Sequence, residues 1–180
     1  MQTAAYPASM PIPANDAQTT IIPTDRQQHR LTTATRLGML IAVCTSPGGI
    51  PKLPLVEVRV TPAGLIGDGR NHAKHIRPDR AVSLIDREIL DQLRAEGFEV
   101  GPGIVGENLT VEHLHVQTLA PGTLLCIEQV VLRLEQPRKP CYVLDAIDPQ
   151  LKDVIAGRCG YMASVVQGGP LRPGMSVRVV

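Results

Sequence analysis

Apolar and polar positions alternate strictly from Val130 to Glu135. Leu132 and Leu134 fall on one face, and Arg133 and Glu135 on the other, a period of two that predicts a half-buried strand. Val56 to Thr61 (VEVRVT) has the same period, with all its valines expected to face inward. Met39 to Cys44 is a short apolar run ended by Ser46-Pro47-Gly48-Gly49, which reads as a buried strand and a turn. Ala81–Ile85, Leu109–Val111, Leu124–Ile127, Tyr161–Val166 and Ser176–Val180 complete the predicted strands, with Glu128-Gln129 as the link into Val130. Asp86 is placed to cap a helix that carries Glu88 in its first turn, buries Ile89, Leu90 and Leu93, and stops at Gly97. Asp148-Pro149 opens a second short helix, with Leu151, Val154 and Ile155 on its apolar side and Gly157 at its end. Short strands punctuated by Pro and Gly, with two short helices, predict a mainly β fold. A closed β-barrel is the arrangement that leaves such strands fewest exposed edges.

Residues 1–37 break this pattern. They mix Pro7, Pro11, Pro13 and Pro23 with Thr, Gln, Asp and Arg, without a sustained apolar period, and read as a flexible N-terminal tail before a domain over 38–180. Aromatic residues are confined to Phe98, Tyr6, Tyr142 and Tyr161, so the core must be aliphatic, and the stacking platforms of a single-strand nucleic-acid binder are missing. A net charge of +1 gives no general attraction to nucleic acid or acidic membranes. No apolar run is long enough for a membrane span, and no basic start followed by an apolar block marks a secretory signal. The four cysteines lack the paired close spacing of a disulfide framework, so a reduced, cytoplasmic setting is expected.

The candidate chemistry centres on LEQPRKPCYVLDA, Leu134 to Ala146. Pro137 and Pro140 stiffen the chain around Cys141, and Arg138 and Lys139 supply charge of the sign that lowers a thiol pKa. A stiff, cationic loop after a strand suits a reactive or metal-binding thiolate; the alternative is a small apolar filler at a barrel end. In Gly157-Arg158-Cys159-Gly160, Arg158 is able to clamp an anion, whereas Cys159 reads as buried structure, as do Cys44 and Cys126. The glycine-rich loop Gly101–Gly106 offers amides that could cup a phosphate or carboxylate. Asn108 behind it could read a heterocycle edge or cap its own turn. His72 and His75 admit a metal site, but nothing else supplies the usual ligand spacing, and a solvated loop is the better reading. Lys52 and Arg80 add cations near strand ends. Nucleophile-elbow, phosphate-loop and dinucleotide fingerprints are absent.

In order along the chain, Gly49-Ile50-Pro51-Lys52, Gly67-Asp68, Asp79 to Asp86 (DRAVSLID), Gly106-Glu107-Asn108-Leu109-Thr110, Leu119-Ala120-Pro121-Gly122, Gln136 to Cys141 (QPRKPC), Gly157-Arg158-Cys159-Gly160 and Gly168 to Gly174 (GGPLRPG) resemble the MOSC domain. That is the C-terminal domain of molybdenum cofactor sulfurases, which also occurs alone. The resemblance implies a β-barrel related to the pyruvate kinase barrel domain. It further implies that Cys141 is the functional thiol and molybdenum ligand, with Lys52, Arg80, Asn108, Arg138 and Arg158 gripping the pterin and phosphate of a molybdenum cofactor (molybdopterin). The implied activity is an oxidoreductase that reduces small N-hydroxylated substrates, with electrons from a separate reductase. A sulfur carrier holding a persulfide on Cys141, loaded by a cysteine desulfurase, and a non-catalytic cofactor-binding module are the alternatives. Two positions depart from the family pattern: Arg70 to Pro78 is longer and richer in His, and Met175 stands where an acidic residue is usual.

Overall fold

The computed structural model of the protein describes residues 36–69 and 76–180. The expected tail up to position 35, and His72 and His75, lie outside the described residues. In chain order the elements are β1 (Leu37–Thr45), β2 (Leu53–Leu55), β3 (Val58–Thr61), β4 (Gly64–Leu65), β5 (Val82–Asp86), α1 (Arg87–Ala95), β6 (Leu109–Glu112), β7 (Leu124–Ile127), β8 (Val130–Pro137), α2 (Leu151–Val154), β9 (Tyr161–Gln167), β10 (Gly169–Leu171) and β11 (Ser176–Val179). The main sheet runs β11-β7-β8-β9-β5-β6-β1, and β11 pairs back onto β1. These seven strands therefore close into a β-barrel, with β2 added outside on β1. Every barrel pairing is antiparallel except β5 with β6, whose crossover carries α1 and the glycine-rich loop. A smaller sheet, β10-β3-β4, lies apart from the main one in its pairing.

The alternation seen in the sequence decides which side chains fill the barrel. Leu132 and Leu134 of β8 are fully buried, while Arg133 between them is exposed. They meet Leu40, Leu84, Leu109, Leu125 and Val177 in one aliphatic core. Each fully buried Leu contributes about 1.5–3 kcal/mol relative to exposure. A second cluster packs outside the barrel, where Leu90 and Leu93 of α1 and Leu151 of α2 join Ile85, Leu144 and Cys159. Among the described residues, no helix is long and apolar enough to cross a membrane.

Three local expectations are corrected. Val56 does not face inward: the strand starts at Val58, and Val56 sits in the preceding bend, 90% exposed. Residues 53–55, 64–65 and 169–171 form strands that their Pro and Gly content disguised. Asp86 precedes α1 but makes no side-chain cap to it. Its Oδ2 instead accepts from the Val116 amide at 2.7 Å and so fixes a 3₁₀ turn over Val116–Thr118.

That misplaced cap has a pH signature. Burial pushes the Asp86 carboxyl up to about 6, helped by the nearby Glu88 charge and opposed by the Val116 and His115 amides and the His115 ring. A carboxyl with a raised folded pKa binds a proton more tightly folded than unfolded, so its contribution favours folding at acid pH and fades as pH rises from about 4 to 6. A rise from 3.8 to about 6 amounts to about 3 kcal/mol. Asp86→Asn, which keeps an acceptor for Val116, is expected to flatten the stability profile between pH 4 and 7 relative to wild type. Urea titrations across that range measure it, and parallel profiles would refute the assignment.

Candidate functional site

Gln136 of β8, Met162 of β9 and Ser83 of β5 pair in a row across three neighbouring strands. A cavity of about 410 Å³ opens there. Lys52, Arg80, Arg138 and Lys139 make part of its wall cationic, and Ile50, Pro137, Val143 and Met162 make another part apolar. Cys141 and Tyr142 also line it, and both are exposed. Four of the cations and the thiol singled out in the sequence thus meet in one place: Arg138, Lys139 and Cys141 follow the end of β8, Arg80 comes just before β5, and Lys52 just before β2.

Asp68 organises the polar wall. Its Oδ1 takes the Lys52 ammonium and the Ser46 amide (3.1 Å), and its Oδ2 accepts from Asn108 Nδ2 at 3.0 Å. The pair is desolvated, with side chains only 10% and 3% exposed for Lys52 and Asp68. Asn108 is used up within this frame. Its Nδ2 also donates to the Cys44 carbonyl (3.1 Å), and its Oδ1 accepts from the Ser83 amide (3.1 Å) and hydroxyl (3.0 Å). It lines the cavity, yet its amide ties β1, β5 and β6 together instead of facing a ligand with open valences. Lys52, held by its carboxylate, presents a positioned charge.

The glycine-rich loop does cup a carboxylate, but it is the chain's own. The Gly103 amide donates to Glu107 Oε1 at 2.6 Å, Thr110 Oγ1 donates to the same oxygen at 3.0 Å, and the Ile104 and Gly106 amides close turns on Gly101 and Gly103. The loop cannot tolerate bulk: a Cβ on Gly103, whose φ is +81°, would stand 2.2 Å from the Lys52 carbonyl. Glu107 is fully buried, its Oε2 has no hydrogen-bond partner among the described residues, and burial raises its pKa while the Arg138 charge draws it down. Arg138 spans the wall. Its Nη2 donates to the Val105 carbonyl (2.7 Å), its Nη1 to the Cys159 carbonyl (3.4 Å), and its amide to Gly160 (2.8 Å). The guanidinium therefore fixes the loop ahead of Cys141 while its charge borders the cavity.

Arg80 differs from the other cations. Its Nε is buried and has no hydrogen-bond partner among the described residues, although the side chain lines the cavity. A buried guanidinium nitrogen left in that state costs free energy that an anionic or carbonyl oxygen would recover. Arg158, expected here, stands elsewhere. Its Nη1 and Nη2 make a bidentate pair with Glu96 at 2.8 and 2.5 Å, and its Nε holds the Val154 carbonyl at 3.2 Å. The turn at Gly157 aims it at the end of α1, and it does not line the cavity. Cys44 is fully buried and its thiol is pushed up to about 12, chiefly by burial, so it is inert as a nucleophile at neutral pH. Cys126, read as core, is only half-buried. Among the described residues, no three His, Cys, Asp or Glu side chains gather as a metal cage.

Asp68, Ser83, Gln136 and Met162 belong to the site but had no chemical role in the sequence reading. Asp68 carried a local signal, an acid in a Gly-Asp-Gly turn just after a strand, but its partners lie 16 to 40 positions away.

Comparison with known proteins agrees with the architecture. A family model, the MOSC domain, matches residues 71–178. Protein YiiM of Escherichia coli (strain K12) is 31% identical over 134 residues, which cover 68% of this chain and 59% of that protein, so the chain spans well under two thirds of that relative's length. The crystal structure of YiiM from Escherichia coli superposes with a TM-score of 0.62 at 24% identity, covering 81% of this chain and 69% of that one. The YUAD protein from Bacillus subtilis gives a TM-score of 0.62 at 18% identity, covering 81% of this chain and 94% of that one.

Proposed function

The chain belongs to the MOSC domain family, and from that premise we propose that its cationic cavity binds a molybdenum-bearing pterin cofactor, with Cys141 as the protein's ligand to the metal. The observation that carries this reading is the pairing, in one cationic cavity, of an exposed thiol with a buried guanidinium nitrogen, Arg80 Nε, that has no hydrogen-bond partner among the described residues. A lone thiol donor fits a metal that arrives already held by an organic ligand, since the described residues offer no protein cage. An anionic pterin phosphate fits a wall of Lys52, Arg80, Arg138 and Lys139. The cofactor would supply two-electron redox chemistry.

The chain's own part is positional. Arg80 Nε donates to the cofactor's anionic edge, Lys52 holds a fixed charge on its Asp68 mount, and Arg138 locks the loop that aims the Cys141 sulfur. Asn108 keeps the frame from which Lys52 projects. Arg158, held by Glu96, has no part in this grip. Ile50, Val143 and Met162 exclude water from one side of the bound group. Small N-hydroxylated molecules are the substrate class we assign, with electrons supplied by a separate reductase. A sulfur-carrying Cys141 is the second reading, favoured by the exposure of its thiol. The deciding experiment is elemental and pterin analysis of the full chain made alongside cofactor biosynthesis. One molybdenum per chain supports the proposal. Metal-free protein carrying a reducible added sulfur on Cys141 supports the second reading instead.

A further inference from the structure

Cys159 is the thiol beside the cavity that this function leaves unused. β8 and β9 pair as far as Pro137 with Tyr161, and the Arg138 amide continues the contact to Gly160 at 2.8 Å. The ladder ends there: Gly160 has a φ of +87° and its amide turns to Gln117 Oε1, so Cys159 lies in the turn just before β9 and Cys141 in the segment just after β8. Two further contacts keep the segments together. Arg138 Nη1 donates to the Cys159 carbonyl, and Leu144, in the 3₁₀ turn that Cys141 opens, is buried in the same cluster as Cys159. The charge of Cys141 bears on Cys159, which burial first of all keeps protonated, with Glu107 acting in the same direction and Arg138 against it.

The two thiols differ in access: Cys141 is exposed, and Cys159 is 1% exposed beneath the turn. An oxidant therefore meets Cys141 first. We propose that Cys159 is a resolving thiol, which captures oxidised Cys141 in a reversible disulfide and withdraws that sulfur from the cavity. A hydroperoxide converts the Cys141 thiol to a sulfenic acid and is itself reduced to an alcohol or water. The Cys159 sulfur then attacks the Cys141 sulfur, an S–S bond forms, and the hydroxyl leaves as water with the Cys159 proton. Closure requires the Cα atoms to come within about 6.8 Å. Gly157, with a φ of +80°, turns the chain into the Cys159 segment, and Gly160 is pinned against the Leu84 carbonyl. An external dithiol reverses the bond. The inference holds whatever the cavity carries, and its test uses cofactor-free protein, so its failure leaves the molybdenum proposal untouched.

The full chain is treated with hydrogen peroxide, alkylated under denaturing conditions, digested without reduction and read by mass spectrometry. Expected are a loss of two hydrogen atoms from the intact mass, a Cys141–Cys159 linked peptide that a dithiol removes, and alkylated Cys44 and Cys126. In Cys159→Ser, and in Cys159→Ala should serine prove unsuitable at a buried position, the link vanishes and Cys141 proceeds to sulfinic acid several-fold faster. Cys141→Ser, altered only at an exposed site, leaves Cys159 alkylatable. Sulfinic acid forming on Cys141 at equal rates with and without Cys159, or Cys141 linked instead to another copy of the chain, overturns the proposal.

Discussion

Cys141→Ala is expected to reduce bound molybdenum to near background while leaving the melting temperature almost unchanged. The side chain is exposed, belongs to neither apolar cluster, and opens a turn that is held by the backbone bond from the Leu144 amide to the Cys141 carbonyl. Its truncation removes no packing, so stability should move by no more than about 0.5 kcal/mol. What is lost is the only thiol lining the cavity, and the protonated Lys and Arg side chains of the wall have no lone pair to offer a metal. Pterin without metal could still be retained through Lys52, Arg80 and Arg138, which separates loss of the ligand from loss of the cavity. Metal analysis, pterin fluorescence and a thermal melt on the same preparations make the check. Equal molybdenum in wild type and variant would remove Cys141 from the site.

Asp68→Ala is expected to cost about 3–5 kcal/mol, the range for breaking a buried ion pair from one side. The variant strips the carboxylate from Lys52, which is 9% exposed, and also deprives the Ser46 amide and Asn108 Nδ2 of an acceptor. Replacing both partners, Lys52→Met with Asp68→Leu, should restore most of the stability, because no buried charge is then left behind. Urea midpoints of the wild type, the two single variants and the double variant give the coupling directly. A double variant no more stable than Asp68→Ala would show that the loss comes from the Ser46 and Asn108 contacts instead. Either way the double variant lacks the Lys52 charge and should bind cofactor less tightly, so stability and binding separate.

Particular residues show why some of this was legible in the sequence and some was not. Leu132 and Leu134 were assigned correctly because a period of two in a barrel strand maps directly onto inside and outside. Val56 has the same local pattern, yet the chain bends there to join β2 to β3, and a bend overrides alternation. The cations Lys52, Arg80 and Arg138 could be picked out singly, but their meeting depends on strand order, which pairing between distant segments decides. Arg158 looked like an anion clamp among glycines until tertiary structure gave it Glu96. Glu107 and Asp68 lay inside noted motifs without a role, since a carboxylate's partner is found only once the chain is folded.

The closing pair of the barrel carries a consequence for biosynthesis. β11 is the piece that joins β7 to β1, and the Val179 amide reaches back to the Arg36 carbonyl at 2.9 Å. While a ribosome is still translating the segment before it, β1 and β7 have unmatched borders and the aliphatic interior is unsealed. Such borders invite pairing with neighbouring nascent chains. Completion of the ring waits for β11 to leave the exit tunnel, so this protein should depend on holding factors during synthesis more than one whose first half can fold by itself.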